Sequence, residues 1–137
     1  VCAEGVDNEE LKNGRIYIAP GGKHMVLKKV GAVTKISIQD GPPVNFCKPA
    51  VDPLFSSVAE IYGNAGLGVI LTGMGSDGRE GSREMVERGA TILAQDEESS
   101  VVWGMPGSVA TANLCAAVLP LDELPTKIKE LMKGEGS

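Results

Sequence analysis

Over its first forty residues the chain alternates apolar and polar positions with a period near two. RIYIAP (15–20) is a short aromatic and β-branched run closed by Pro20, Gly21 and Gly22, the pattern of a strand and a turn. In HMVLKKVGAVTKISIQD (24–40), two β-rich runs flank Gly31. His24, Val26 and Lys28 fall on one face and Met25, Leu27 and Lys29 on the other, while Lys35 to Ile38 alternates cleanly. This predicts an antiparallel hairpin near the N-terminus with one face in water. GPPVNFCKP (41–49) reads as extended loop, its φ restricted at each proline.

After residue 50 the period changes. Asp52 is a good N-cap, Pro53 suits the first helical position, and Leu54, Phe55, Val58, Ile61 and Tyr62 form one apolar stripe. Gly63 is expected to end this helix in a left-handed conformation. LGVILT (67–72) and TILAQ (91–95) are unbroken apolar runs, as in strands covered on both faces. Between them, GREGSREMVERG (78–89) reads as a surface helix with Met85 and Val86 as its apolar contacts, stopped by Gly89. MPGSVATANL (105–114) is a short helix, AAVLPL (116–121) a last strand, and LDELPTKIKELMK (121–133) a helix burying Leu124, Ile128, Leu131 and Met132. GEGS (134–137) reads as a frayed tail. The order α-β-α-β-α-β-α predicts an α/β fold, a doubly wound and mostly parallel sheet with helices on both faces.

Composition narrows the function classes. A chain of 137 residues buries one core, so it is one domain or part of one. The net charge of −5 and the scatter of the basic residues exclude a phosphate-tracking surface, so no nucleic-acid partner is expected. Cys2, Cys47 and Cys115 are too widely spaced for a zinc site or a disulfide framework and read as free thiols of a cytoplasmic protein. No apolar run reaches membrane-spanning length, and VCAEGVDNEE lacks a signal-peptide core. The chain starts at Val1, without methionine, as a piece of a longer polypeptide would.

The candidate chemistry lies in VILTGMGSDGREG (69–81). Gly73-x-Gly75-x-x-Gly78 follows an apolar run, and Asp96 follows at nearly the spacing of a dinucleotide-binding fingerprint. Phosphate binding at a helix start needs free backbone N–H groups. Asp77 stands there instead, and like charges 4 Å apart near a surface cost about 4 kcal/mol. Arg79 is the nearest offsetting charge. Two readings of Asp77 stay open on residue types alone. It is a helix cap, or it is the carboxylate that orients a histidine in a Ser-His-Asp hydrolase.

GRIYIAPGGKHM, GPPVNFCKPAVDPLF, GVILTGMGSDGREG and AQDEESSVVWGMPG, in that order and spacing, resemble consecutive motifs of the CheB family, the chemotaxis protein-glutamate methylesterases. The resemblance spans about residues 14 to 133. It implies a doubly wound α/β domain that releases methanol from chemoreceptor glutamate methyl esters and deamidates certain receptor glutamines. It further implies a Ser-His-Asp triad, no cofactor, no metal, and a response-regulator domain on the same polypeptide. Methyl-accepting chemoreceptors are the implied partners. Asp77 matches the triad aspartate, and Met74, between Gly73 and Gly75, matches a residue whose backbone N–H helps stabilise the oxyanion.

The family's serine lies in a Gly-Ala-Ser-Thr-Gly-Gly-like turn and its histidine in a Gln-His-Met-Pro-like segment. Neither is present in these 137 residues. The expectation is therefore that residues 1–137 form the C-terminal portion of one catalytic domain, inactive alone. His24, the single histidine, does not align with the triad base and is a candidate lining residue, as are Trp103 and Met105. Asp96, Glu97 and Glu98 read as a solvated loop, Ser99 and Ser100 as loop serines without a base, and Cys47 as a thiol without one. The alternatives are a nucleotide-binding module built on the glycine loop and a non-catalytic interaction module.

Overall fold

The computed structural model describes residues 2–133; the tail expected at 134–137 lies outside them. Strands β1 (Cys2–Glu4) and β2 (Ile16–Ile18) pair in parallel. Strands β3 (His24–Val30) and β4 (Val33–Gln39) form the expected antiparallel hairpin, with His24 opposite Gln39 and Val30 opposite Val33. Gly31, at φ 62, makes the turn that its lack of a Cβ permits. Both hairpin edges are covered. Ile36 of β4 exchanges backbone bonds with Asn8 and Glu9, and the Leu27 N–H of β3 donates to Ser57 Oγ at 2.9 Å.

Helix α1 (Val51–Tyr62) leads into a second, parallel sheet of order β5-β6-β7, formed by β5 (Leu67–Ile70), β6 (Thr91–Gln95) and β7 (Ala117–Leu119). Helix α2 (Arg79–Glu87) connects β5 to β6, and α3 (Gly104–Thr111) connects β6 to β7. Helix α4 (Leu124–Met132) follows a short 3₁₀ turn. Strand β6 is the centre: Ile92, Leu93 and Ala94 are all 0% exposed, so both of its faces are covered. Ile92 packs with Ala59 and Met85 from α1 and α2, and Ala94 packs with Ile70, Val109 and Leu114. The predicted α/β architecture, with a parallel sheet and an N-terminal hairpin, is the one observed.

Several expectations need correction. Asp52 is not the N-cap of α1; Ala50 occupies that position and offers no side-chain bond. Asp52 and Pro53 sit inside the first turn, where proline's missing N–H costs nothing. Tyr62, placed on the buried stripe, is exposed, and Ala59 takes the buried position. Strand β5 stops at Ile70, leaving Leu71 exposed. Met132 is 78% exposed, because only the start of α4, at Leu124, is fully covered. Helix α2 buries Gly81 and Ser82 besides Met85. A Cβ on Gly81 would lie 2.7 Å from Phe55 Cβ and 3.1 Å from the Asp52 backbone, so glycine is what lets α1 and α2 approach. Among the described residues no helix is long and apolar enough to cross a membrane.

Candidate active site

The loop after β5 ends at Asp77, whose carboxylate is only 3% exposed. It does not cap the helix it precedes: the N-cap of α2 is Gly78, in a left-handed conformation at φ 101. Asp77 reaches across to α1. Its Oδ2 accepts the Val51 N–H at 2.6 Å and its Oδ1 accepts the Asp52 N–H at 3.2 Å. Asp52 returns the arrangement, its Oδ1 accepting the N–H groups of Gly78 at 3.0 Å and Gly81 at 2.8 Å. Each helix start is thus capped by a carboxylate from the other segment, where it also meets the positive end of the helix dipole. Asn45 bridges the two, its Nδ2 donating to Asp52 Oδ2 at 2.7 Å and to Asp77 Oδ1 at 3.1 Å.

This exchange bears on what the glycine motif can hold. The Gly78 and Gly81 N–H groups that a phosphate would use are already bound to Asp52. The expectation that Asp77 excludes an anion there is corrected in its agent: Asp52 takes the donors. Replacing Asp52 by alanine leaves both donors without an acceptor and is expected to lower stability by about 1–3 kcal/mol. A shift of the urea midpoint checks this, and an unchanged midpoint contradicts it.

A second segment fixes the loop from the other side. Gly73 N–H donates to the Val102 carbonyl at 3.0 Å, and Met105 N–H donates to the Gly73 carbonyl at 2.8 Å. Thr72 Oγ1 both donates to the Val102 carbonyl and accepts its N–H, each at 2.9 Å. The Thr72 N–H reaches Gln95 Oε1 at 2.8 Å, at the buried end of β6. Gly75 turns at φ 94, and the backbone at Gly104 lies so near it that an added Cβ would sit 2.8 Å from Gly75 N. The Met74 side chain, at the loop's crest, is 80% exposed.

The other sequence candidates divide clearly. His24 is buried and satisfied: its Nδ1 accepts the Ala50 N–H at 3.2 Å, so Nε2 carries the proton and donates to the Pro42 carbonyl at 2.8 Å. It pins the 41–50 segment, including the Asn45 region, and offers no free nitrogen to a substrate. Trp103 Nε1 donates to the Gln95 carbonyl at 2.8 Å, and Met105 Sδ would lie 2.6 Å from a Cβ on Gly73. Met105 thus packs on the glycine loop, and the Trp103 backbone forms a parallel bridge to Gly73. Ser99 and Ser100 fold the turn after β6, Ser99 Oγ donating to Asp96 Oδ1 at 2.7 Å and Ser100 Oγ to the Asp96 carbonyl at 2.6 Å. Burial pushes the Cys115 thiol up to about 11, which leaves it a poor nucleophile.

Asn45 and the true partners of Asp52 escaped the sequence reading. The available signal was Asn45 itself, in a loop whose turn needs positive φ, a conformation asparagine tolerates.

The family model described as CheB methylesterase matches residues 2–128. The protein-glutamate methylesterase/protein-glutamine glutaminase of group 2 operon of Bradyrhizobium diazoefficiens is 57% identical over 136 residues, covering 99% of this chain and 34% of that protein. The protein-glutamate methylesterase/protein-glutamine glutaminase of Maricaulis maris is 54% identical over 134 residues, covering 98% of this chain and 33% of that protein. The chain spans about a third of the length of these curated relatives. The crystal structure of the Thermotoga maritima CheB methylesterase catalytic domain superposes with a TM-score of 0.91 at 41% identity, covering 93% of this chain and 68% of that one. With the motifs, the fold and these matches in agreement, the chain belongs to the CheB methylesterase family.

Proposed function

We propose that residues 1–137 are the C-terminal portion of a protein-glutamate methylesterase catalytic domain, in which Asp77 is the acid of a Ser-His-Asp triad. The observation that carries this reading is the state of Asp77: buried beyond a strand's C-terminal end and held, among the described residues, by three donors that leave one acceptor position on Oδ2. A serine and a histidine from the upstream part of the domain complete the site. The 68% coverage of the Thermotoga maritima domain leaves room for that part.

In this mechanism the serine hydroxyl attacks the glutamyl ester carbonyl while the histidine takes its proton. Asp77 holds the imidazole in the tautomer that can do so. The backbone N–H of Met74, presented by the loop between Gly73 and Gly75, stabilises the tetrahedral oxyanion. Collapse passes the proton to the leaving methoxide and releases methanol. Water, activated by the same histidine, then frees glutamate and restores the serine. A receptor glutamine follows the same path with ammonia as the leaving group. No step calls on a metal or a cofactor. Trp103 and Met105 serve the site through the loop they hold.

The partners in this reading are methyl-accepting chemoreceptors, and a response-regulator domain occupies part of the remaining length of the polypeptide. The free thiols Cys2, Cys47 and Cys115 suit the cytoplasm, where this activity belongs. The nucleotide-binding alternative is disfavoured because Asp52 already occupies the donors it needs. Methanol release from a methylated receptor by a protein extended upstream tests the proposal. A folded extended protein that releases none contradicts it.

A further inference from the structure

The 41–49 loop holds two non-glycine residues in the left-handed region, Asn45 at φ 52 and Phe46 at φ 65. Val44 and Cys47 close the turn around them, N–H to carbonyl in both directions at 2.9 and 2.8 Å. Turns of this kind favour Asn-Gly, and a phenylalanine is strained at such a φ. Phe46 is 100% exposed and offsets none of that strain by packing. The turn must be held elsewhere. His24 fixes its flanks at Pro42 and Ala50, and Lys48 binds Asp40 at 2.6 Å, a contact that holds the Asp40 carboxyl below its usual range. At its tip, Asn45 donates to both Asp52 and Asp77. The amide can face only one way, since its oxygen in that position would meet two carboxylates.

A carboxylate offers about four acceptor positions, two on each oxygen. On Asp77, among the described residues, Oδ1 receives Asp52 N–H and Asn45 Nδ2, while Oδ2 receives only Val51 N–H. We infer that Asn45 is a positioning residue: by filling the second site on Oδ1 it leaves one place, on Oδ2, for the imidazole of the triad. Without Asn45 the imidazole has two competing acceptors and the carboxylate loses one of its three restraints. The inference rests on the reading of Asp77 as triad acid, and its test separates the two.

The experiment uses the protein extended to include the upstream serine and histidine, with kcat and KM for methyl-ester hydrolysis read per folded molecule. Asn45→Gly keeps the positive φ and deletes the amide. It is expected to lower kcat about 10- to 100-fold, as small misalignments of catalytic groups do, with KM within about twofold. The deshielded imidazole N–H proton resonance of the triad histidine should shift or broaden in the same variant. Asp77→Asn, measured beside it, reports on the underlying reading. Collapse of Asp77→Asn with wild-type kcat and an unmoved resonance in Asn45→Gly overturns the role of Asn45 alone. Near-normal turnover in Asp77→Asn overturns both. If Asn45→Gly does not fold, Asn45→Asp, which keeps the shape and tolerates the turn but presents a carboxylate in place of the donor, is read the same way. Wild-type kcat there overturns the inference.

Discussion

Asp77→Asn, in a protein carrying the upstream serine and histidine, is expected to reduce kcat for methyl-ester hydrolysis by about 10⁴. The substitution is isosteric, yet an amide cannot match the three donors that now converge on Asp77. Whichever way it turns, its NH₂ group meets either the Val51 N–H or the N–H groups of Asp52 and Asn45. Keeping the oxygen at the Oδ1 position satisfies two of the three donors and turns the NH₂ group toward Val51 and the histidine. The histidine then loses the acceptor that fixes its tautomer. Some stability is lost as well, about 1–2 kcal/mol for a weakened helix cap. A loss of that size changes the folded fraction of a well-folded domain little, so kcat per folded molecule isolates the catalytic effect. The measurement is a steady-state methanol assay with a melting curve on the same sample. A kcat within tenfold of wild type contradicts the assignment.

Gly104→Ala is expected to produce the second largest effect, from a residue that touches no substrate. Its added Cβ would lie 2.8 Å from Gly75 N and 3.0 Å from the carbonyl oxygens of Gly73 and Gly75. All three atoms are backbone, so no side chain can rotate aside. Alanine favours the helix over glycine by about 1 kcal/mol, but overpacking of this kind costs about 1–3 kcal/mol. The glycine loop must yield, and with it the Met74 N–H. A displacement of about 1 Å at such a group costs roughly 10² in rate. The extended protein should therefore show kcat down by about that factor with a modestly lowered Tm. Wild-type values of both would mean that the 102–105 segment does not hold the loop in its working position.

The elements were legible where periodicity and caps are local. The hairpin at 24–40 and the buried strand β6 follow from nearest neighbours in the sequence, and they are where the residues placed them. Gly63 ends α1 as expected, but at φ 53 and ψ −124 it lies outside the left-handed cap that the sequence predicts. The start of α1 was misread because its cap comes from Asp77, a residue 25 or 26 positions away. No local pattern encodes such an exchange. An isolated Asp-Pro dipeptide looks like a cap, whereas in the fold Asp52 serves the neighbouring helix. Met132 was misplaced for a related reason: an amphipathic stripe shows which face is apolar, not how far along the helix a neighbour covers it.

The site was legible only through its motifs. Residue chemistry alone left Asp77 between cap and catalytic acid, and the structure makes it a cap, of the other helix. Capping and orienting a histidine are compatible demands on one carboxylate, because three donors leave one acceptor position. His24 is a candidate as the single histidine, and Trp103 and Met105 as residues that could line the site. His24 has both ring nitrogens engaged by backbone groups, Trp103 Nε1 donates to the Gln95 carbonyl, and Met105 lies against Gly73. Asn45 went unnoticed because a loop asparagine is ordinary until the two carboxylates it joins are seen together.

We propose that this chain supplies the acid of a catalytic site whose serine and histidine lie upstream. Methanol release from a methylated receptor, by residues 1–137 alone and by the same chain extended upstream, tests it most directly. Release by the extended protein and none by the short one is the expected result. Release by residues 1–137 alone would mean that His24 and a serine of this chain build the site, and the assignment of Asp77 would fall.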